Sequence, residues 1–500
     1  MRTTRPSGAA LLLLLSATAW AGDGDDAISV YKTGEYKRAI PLLQAAVASA
    51  PRDPVVHADL LSALVYESRV DEAADAAAAD ATAFPDSPEV LAARGEFEFY
   101  MGDIVEAEHL FKDSFHRQET ARANYGLYRV YRGFSMFRRA RLLCLKAHEL
   151  DPDDALISVA FFRYVIPEKR RELLAGFAPA HPWFYKDLKR NEDTAASIKS
   201  EIKGEQAFEI EGGPKEITVP LLYLRNSPTR IHGVGIDLAI EGGRHLRMLL
   251  DTGATGILLT QAAVDRAGLK HLGAFEASGI GDGGSRSGFA AVAESCSIGT
   301  LEFKRCIFGA LEGKGRMPDD SDGLIGADFF SDYIVQMDFQ RRTLHLKPQP
   351  TRPHNPQGYD REIPSDETAF TPIFRYGHEL LIPTKVNGKR SGLFLLDTGA
   401  QMSSIDSGFA RLSMKIHGDN YMTMKGISGK VKDVYQADSA ELQFGHFRQR
   451  YEGLSAFNLN NSPEHREFRL DGILGIPVLS MFRLTIDYRN GLVNFDYAFK

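Results

Sequence analysis

Cysteine, tryptophan, long apolar runs and an excess of one charge are what this 500-residue sequence has least of. It carries 3 Cys and 2 Trp. Three cysteines allow at most one internal bridge, so a disulfide framework does not hold the chain together. Beyond Ala21 no stretch approaches the roughly 20 apolar residues that a transmembrane helix needs. Lys and Arg number 59 against 66 Asp and Glu, a formal net charge of −7. That balance gives no whole-chain case for nucleic acid or an anionic membrane as partner. The 14 His are scattered with no HExxH or similar spacing, so neither a metal site nor a cofactor is expected.

What is present is ordinary for a globular protein, 44% apolar and 25% charged, but too long for one core. The size suggests two to four domains. Composition shifts along the chain: the first 160 or so residues are rich in Ala, whereas Gly, Thr and Phe concentrate beyond residue 205. Two kinds of architecture are expected.

The first segment reads as an address. Arg2 and Arg5 precede the apolar stretch Gly8 to Ala21, and Ala19-Trp20-Ala21 is a small-x-small site ahead of the acidic Asp23, Asp25 and Asp26. These are the parts of a secretory signal over residues 1–21, too short to span a bilayer. An exported protein, periplasmic or secreted, is expected.

From 22 to 175 the sequence repeats. Ala39, Ala73 and Ala107 are spaced by 34 residues and Ala140 follows after 33. Twelve residues beyond these lie Pro51, Pro85, Glu119 and Pro152, and four beyond lie Leu43, Ala77, Phe111 and Cys144. Small residues where helices cross, with Pro at the exit, resemble the tetratricopeptide repeat, with Asp80 and Glu119 as departures. The resemblance implies an all-α solenoid, serving either as a docking groove for a peptide or protein partner or as a rigid spacer. Residues 176–205 read as a capping helix and linker.

Beyond 205 the pattern turns to short β runs and then duplicates. An alternating run with a Gly turn leads into Leu249-Leu250-Asp251-Thr252-Gly253-Ala254; 146 residues later the same arrangement gives Leu395-Leu396-Asp397-Thr398-Gly399-Ala400. The Gly-rich stretch Gly279-Ile280-Gly281-Asp282-Gly283-Gly284 starts 28 residues after Asp251, and Gly426-Ile427-Ser428-Gly429 starts 29 after Asp397. Next come Asp322-Gly323-Leu324-Ile325-Gly326 and Asp471-Gly472-Ile473-Leu474-Gly475. Each copy closes on a strand pair. One Asp-Thr-Gly is weak, since these are common turn residues; two copies with matched downstream elements are not.

These residues resemble the aspartic proteases, in particular the retropepsin-like branch, over lobes at 206–347 and 363–500 joined by a Pro-rich linker at 348–362. The resemblance implies a mainly-β, bilobal retropepsin/pepsin-like fold and an aspartic endopeptidase acting on polypeptide. It implies Asp251 and Asp397 as the catalytic pair, Thr252 and Thr398 bonding across the lobes, and Gly253 and Gly399 allowing tight turns. Gly279, Ile280 and Gly281, with Gly426, Ile427 and Gly429, would belong to two flaps over the substrate. No counterpart of the single flap Tyr of the pepsin-like branch is found. The alternative is a catalytically silent, peptide-binding scaffold of the same fold.

Other residues carry blander readings. Gly279 to Gly284 lacks the strand–helix context of a dinucleotide loop. Asp322 and Asp471 are read as starting a turn into a short helix, and Asp338 and Asp487 as structural or edge charges. A two-residue turn at Gly299-Thr300 does not set Cys296 opposite Cys306, so a bridge between them is allowed in an oxidising compartment but not favoured. Cys144 is expected to fill a helix interface.

Overall fold

The computed structural model describes residues 26–181, 198–227, 230–241, 243–277, 279–313, 320–351, 358–365, 369–418, 424–460 and 467–497. The expected signal segment and much of the two linkers lie outside them. The described residues fall into two compact units: 26–131 with 138–181, and 132–137 with 198–497. No helix among the described residues is long and apolar enough to cross a membrane.

The first unit is helical, and its helices keep the period of the sequence. Tyr36–Ser49, Val70–Ala83, Ile104–Arg117 and Phe137–Leu150 alternate with Pro54–Tyr66, Pro88–Tyr100, Ala121–Gly133 and Ala155–Phe161. The starts are local chemistry: Asp53, Ser87, Asp103 and Asp154 cap free backbone N–H groups, and Pro54 and Pro88 occupy first-turn positions where no N–H is needed. Ala39, Ala73, Ala107 and Ala140 are all buried, as are Leu43, Phe111 and Cys144. Phe111 shows why small residues recur: a Cβ at Gly95 would come within 2.7 Å of its ring.

Ser62, Glu96 and Arg129 hold the same register position in every second helix, Pro54–Tyr66, Pro88–Tyr100 and Ala121–Gly133, and meet in the interior. Glu96 accepts from the Ser62 hydroxyl and, at 3.1 Å, from that of Tyr66, and it pairs with Arg129 at 3.5 Å. Arg122 adds ion pairs to Asp59 and, at 2.9 Å, to Glu89. Burying so many charges is tolerable only because each carboxylate faces a guanidinium or a hydroxyl.

The second unit is mainly β. Its first half forms a nine-stranded sheet closed by pairing of Arg286–Ile298 with Leu301–Leu311; its second half forms a ten-stranded sheet. Between them lies a six-stranded sheet drawn from both halves. Ile217–Pro220, Thr343–Pro348 and Tyr333–Asp338 meet Phe482–Asp487, Leu492–Tyr497 and Thr371–Pro372, with Tyr333–Asp338 antiparallel to Phe482–Asp487 at the centre. The terminal strand pairs of the two copies thus weld the lobes into one body over a continuous apolar core.

That sheet decides between the two readings of Asp338 and Asp487, in favour of the structural one. They end central strands, not edges, and are buried. Asp338 accepts the Arg341 N–H at 2.8 Å and Asp487 accepts that of Asn490 at 3.0 Å, closing matched hairpin turns.

The cysteine reading is corrected. Cys296 and Cys306 are disulfide-bonded, with Cα atoms 6.2 Å apart. In register Cys296 faces Phe303 and Cys306 faces Ala293, as a straight hairpin requires. Arg305, however, sits at φ +56°, outside the ladder between Lys304 and Cys306. This left-handed residue folds the strand over and turns Cys306 to the face of Cys296. Cys144 forms no disulfide and is buried.

Candidate active site

Each Asp-Thr-Gly sits where an apolar strand runs out beside a parallel neighbour. Arg244–Asp251 pairs in parallel with Gly323–Gly326, so that Asp251 lies beside Gly326; Arg390–Asp397 pairs with Gly472–Gly475, with Asp397 beside Gly475. A third strand in each lobe, Ile257–Thr260 or Ser404–Asp406, pairs with the other side of that neighbour, so the chain must loop outward immediately after the Asp. The glycines ending the neighbours leave room for these loops: a Cβ at Gly475 would lie 2.7 Å from Met402 backbone.

Asp322 and Asp471 make the parallel arrangement possible. They do not start a helical turn as expected; they enter the neighbouring strands. The Asp322 amide donates to the Arg247 carbonyl at 2.8 Å while its carboxylate accepts the Arg247 N–H at 3.0 Å. Asp471 repeats this with Leu393 at 2.9 and 3.0 Å. Each thus ties its strand to the one carrying the Asp-Thr-Gly. Asp471 is wholly buried, and burial pushes its carboxyl well above the usual range.

The two loops meet back to back. The Thr252 amide donates to the Thr398 hydroxyl and the Thr398 amide to the Thr252 hydroxyl, both at 3.0 Å. The hydroxyls in turn donate to the carbonyls of Leu396 and Leu250, at 2.6 and 2.8 Å. This brings Asp251 and Asp397 together, each carboxyl standing against the glycine of the opposite loop. Asp251 also accepts the Gly253 amide at 2.8 Å, and Asp397 accepts those of Gly399 at 2.8 Å and Ala400 at 2.9 Å.

Gly253 and Gly399 need to be glycine for a reason other than a tight turn. Neither has a positive φ. A Cβ at Gly253 would stand 2.8 Å from Cγ of Asp397, and one at Gly399 would overlap the Asp251 carboxyl. Each glycine clears space for the opposite lobe's acid.

Burial raises both carboxyls above the ordinary 3.8, Asp397 the more strongly because the charge of Asp251 adds to burial. Hydrogen bonds from Gly253 and Asp397 and the nearby His378 hold the rise of Asp251 back. Two acids so placed cannot both ionise, and they retain one proton between them. The carboxyl pairs of aspartic proteases are the standard example of this effect. Chemically the site offers a base and an acid side by side.

Above it the Gly-rich segments touch. Met424–Gly426 and Gly429–Val431 form a two-stranded hairpin, and the loop around Gly281 reaches it from the first lobe. Ser428 is the hinge of the contact. Its amide donates to the Ile280 carbonyl at 3.1 Å, its carbonyl accepts from Gly283 at 2.7 Å, and its hydroxyl accepts from Gly279 at 3.1 Å. Asp282 accepts the Lys432 amide at 2.6 Å. A Cβ at Gly281 would lie 2.5 Å from the Ser428 carbonyl carbon, which is why the tip stays bare.

Residues 236–329 and 382–478, one stretch in each lobe, match the family model described as aspartyl protease. The β unit has an aspartic-protease-like fold. No curated protein matches the chain. Among solved structures, an aspartic proteinase from Irpex lacteus is 14% identical, with 57% of this chain and 98% of that one covered and a TM-score of 0.35.

Within this unit the two Asp-Thr-Gly loops meet each other, and so do the two Gly-rich segments, with Ile427 in one apolar cluster with Ala254 of the first active loop. Ser428, Asp282 and Asp328 were missed. Asp328 fastens the first active loop, accepting from the Thr255 hydroxyl at 2.8 Å and the Gly256 amide at 3.2 Å. The second copy has Pro477 at the matching place, so comparison of the copies could not flag it. Among the described residues no cluster of His, Cys, Asp and Glu forms a metal site.

Proposed function

We propose that the chain is an aspartic endopeptidase whose single active site is built by Asp251 and Asp397. The observation that carries this reading is the pair of facing carboxyls, Asp397 buried and Asp251 half-buried, held by matched loops from two lobes. The ionised member of the pair takes a proton from a water molecule, and the protonated member donates to the carbonyl oxygen of the scissile peptide bond. Water attacks directly, giving a tetrahedral intermediate; returning the proton to the leaving nitrogen completes hydrolysis. Thr252 and Thr398 hold the loops, and the flaps around Gly279, Ile280, Gly281, Gly426, Ile427 and Gly429 close over an extended polypeptide and exclude bulk water. No cofactor takes part.

The N-terminal pattern supports export, and the 34-residue helical period supports a tetratricopeptide-type array. The paired tier of Ser62, Glu96 and Arg129 uses inward positions internally, which favours a rigid spacer over a peptide-docking groove.

The test is incubation of the purified chain with a denatured polypeptide from roughly pH 3 to 8, the span over which such a pair titrates, with products read by mass spectrometry. Internal cleavage supports the peptidase. Saturable binding without any cleavage supports the silent scaffold instead.

A further inference from the structure

The two lobes present unequal walls to the space beside the carboxyl pair. In the first lobe Met248, Leu250, Ile257 and Ile325 turn into the core, whereas the alternating Leu249, Leu258 and Leu324 turn the other way. With Leu224 and Leu311 these form a separate apolar cluster, against which Ala254 of the active loop and Ile427 of the opposite flap pack. A wall bounded by the Asp251 loop and a flap tip is where a substrate side chain next to the reacting bond would lie.

Register identifies the counterpart in the second lobe. Leu258 is paired with Leu324 on one side and Gly309 on the other; Ser404 is paired with Ile473 and Ser455. Leu258 and Ser404 each follow their Asp by seven residues. One wall therefore offers a Leu over a Gly, and the other two serines. Ser404 is 1% exposed and its hydroxyl has no hydrogen-bond partner, while the Ser455 hydroxyl lies 3.4 Å from Sδ of Met402 in the active loop. A buried hydroxyl left unpaired is costly, and a polar group entering the wall removes that cost.

We propose that the cleft reads its substrate in one chain direction, the first lobe taking a bulky aliphatic side chain and the second a small hydroxyl-bearing one, with Ser404 deciding the difference. The inference rests on the peptidase reading above. It goes beyond it because a duplicated fold alone would predict equal walls.

Cleavage-site profiling on a degenerate peptide library tests it, with wild type, Ser404→Ala, Ser404→Leu and Leu258→Ser compared. Wild type is expected to cut between an aliphatic residue and Ser or Thr. Ser404→Ala, which adds no bulk, loses the preference for Ser or Thr. Ser404→Leu cuts Leu–Ser sites roughly tenfold less and favours aliphatic residues on both sides. Leu258→Ser relaxes the aliphatic side. Equal preferences on both sides in wild type, or serine variants that profile like wild type, overturn the inference. Asp251→Asn separates the two claims, since it presents the same walls without turnover. A wild type that cuts nothing contradicts the peptidase reading. The Asn variant's affinities still judge the walls: several-fold tighter binding of a Leu–Ser peptide than of a Leu–Leu peptide supports the asymmetry, and equal affinity overturns it.

Discussion

Thr252 and Thr398 are each other's hydrogen-bond acceptors, the amide of each donating to the hydroxyl of the other at 3.0 Å. Because their hydroxyls also donate across the lobes, four bonds join the two active loops with every donor used. Thr252→Ala leaves the Thr398 amide and the Leu396 carbonyl unpaired in a buried place, at about 1–3 kcal/mol for each group. Thr252→Ser, which keeps the hydroxyl, is expected to restore most of that loss. Urea unfolding of the two variants checks it. An Ala variant within about half a kcal/mol of wild type would show the four-bond joint to be unimportant.

The carboxyl pair sets a pH dependence of known sign. Above 3.8 the unfolded chain ionises both acids, whereas the folded pair retains a proton because its values are raised. The pair's contribution to stability is thus complete below 3.8 and is lost as pH rises through the folded values. Asp397→Asn is expected to flatten the decline in unfolding free energy above about pH 4, by at most about 1.4 kcal/mol per pH unit. Asp471, also raised, acts with the same sign, so some slope remains. An unchanged slope in the variant would contradict the shared proton.

The Cys296–Cys306 bridge closes a loop of sequence separation 10. Loop-closure entropy for that length is worth roughly 2–3 kcal/mol. Reduction, or replacement of both cysteines by serine, is expected to lower the thermal midpoint of the β unit. A midpoint that does not move under reductant would show that the bridge does not constrain this strand pair.

Ser428 is expected to control how often the flaps part. Ser428→Ala removes the acceptor of the Gly279 amide but keeps both backbone bonds of the contact. A loss of about 1 kcal/mol corresponds to roughly fivefold faster amide exchange at Gly279 and its neighbours. Exchange identical to wild type would remove the hydroxyl from the latch.

The residues that can be read from sequence are those whose surroundings are local. Asp251 and Asp397 each follow an apolar strand and precede a Thr-Gly pair, and duplication at a fixed spacing turns a weak signal into a strong one. The helical period is legible for the same reason, since Ala39, Ala73, Ala107 and Ala140 face adjacent helices. Features set by the partner lobe are not legible. Gly253 and Gly399 look like turn glycines until the opposite carboxyl is placed against them. The central pairing of Tyr333–Asp338 with Phe482–Asp487 joins strands nearly 150 residues apart, and alternation within either strand cannot report it. The disulfide escaped because Arg305 takes a left-handed conformation that its residue type does not advertise.

The central claim is that Asp251 and Asp397 form one active site to which each contributes indispensably. Its most direct measurement is the turnover of an unstructured peptide by wild type, Asp251→Asn and Asp397→Asn, with folding of each verified by circular dichroism. The account predicts that either substitution alone lowers turnover by at least about a thousandfold, since neither acid can serve as both base and proton donor. A folded single variant that retains wild-type turnover would contradict it.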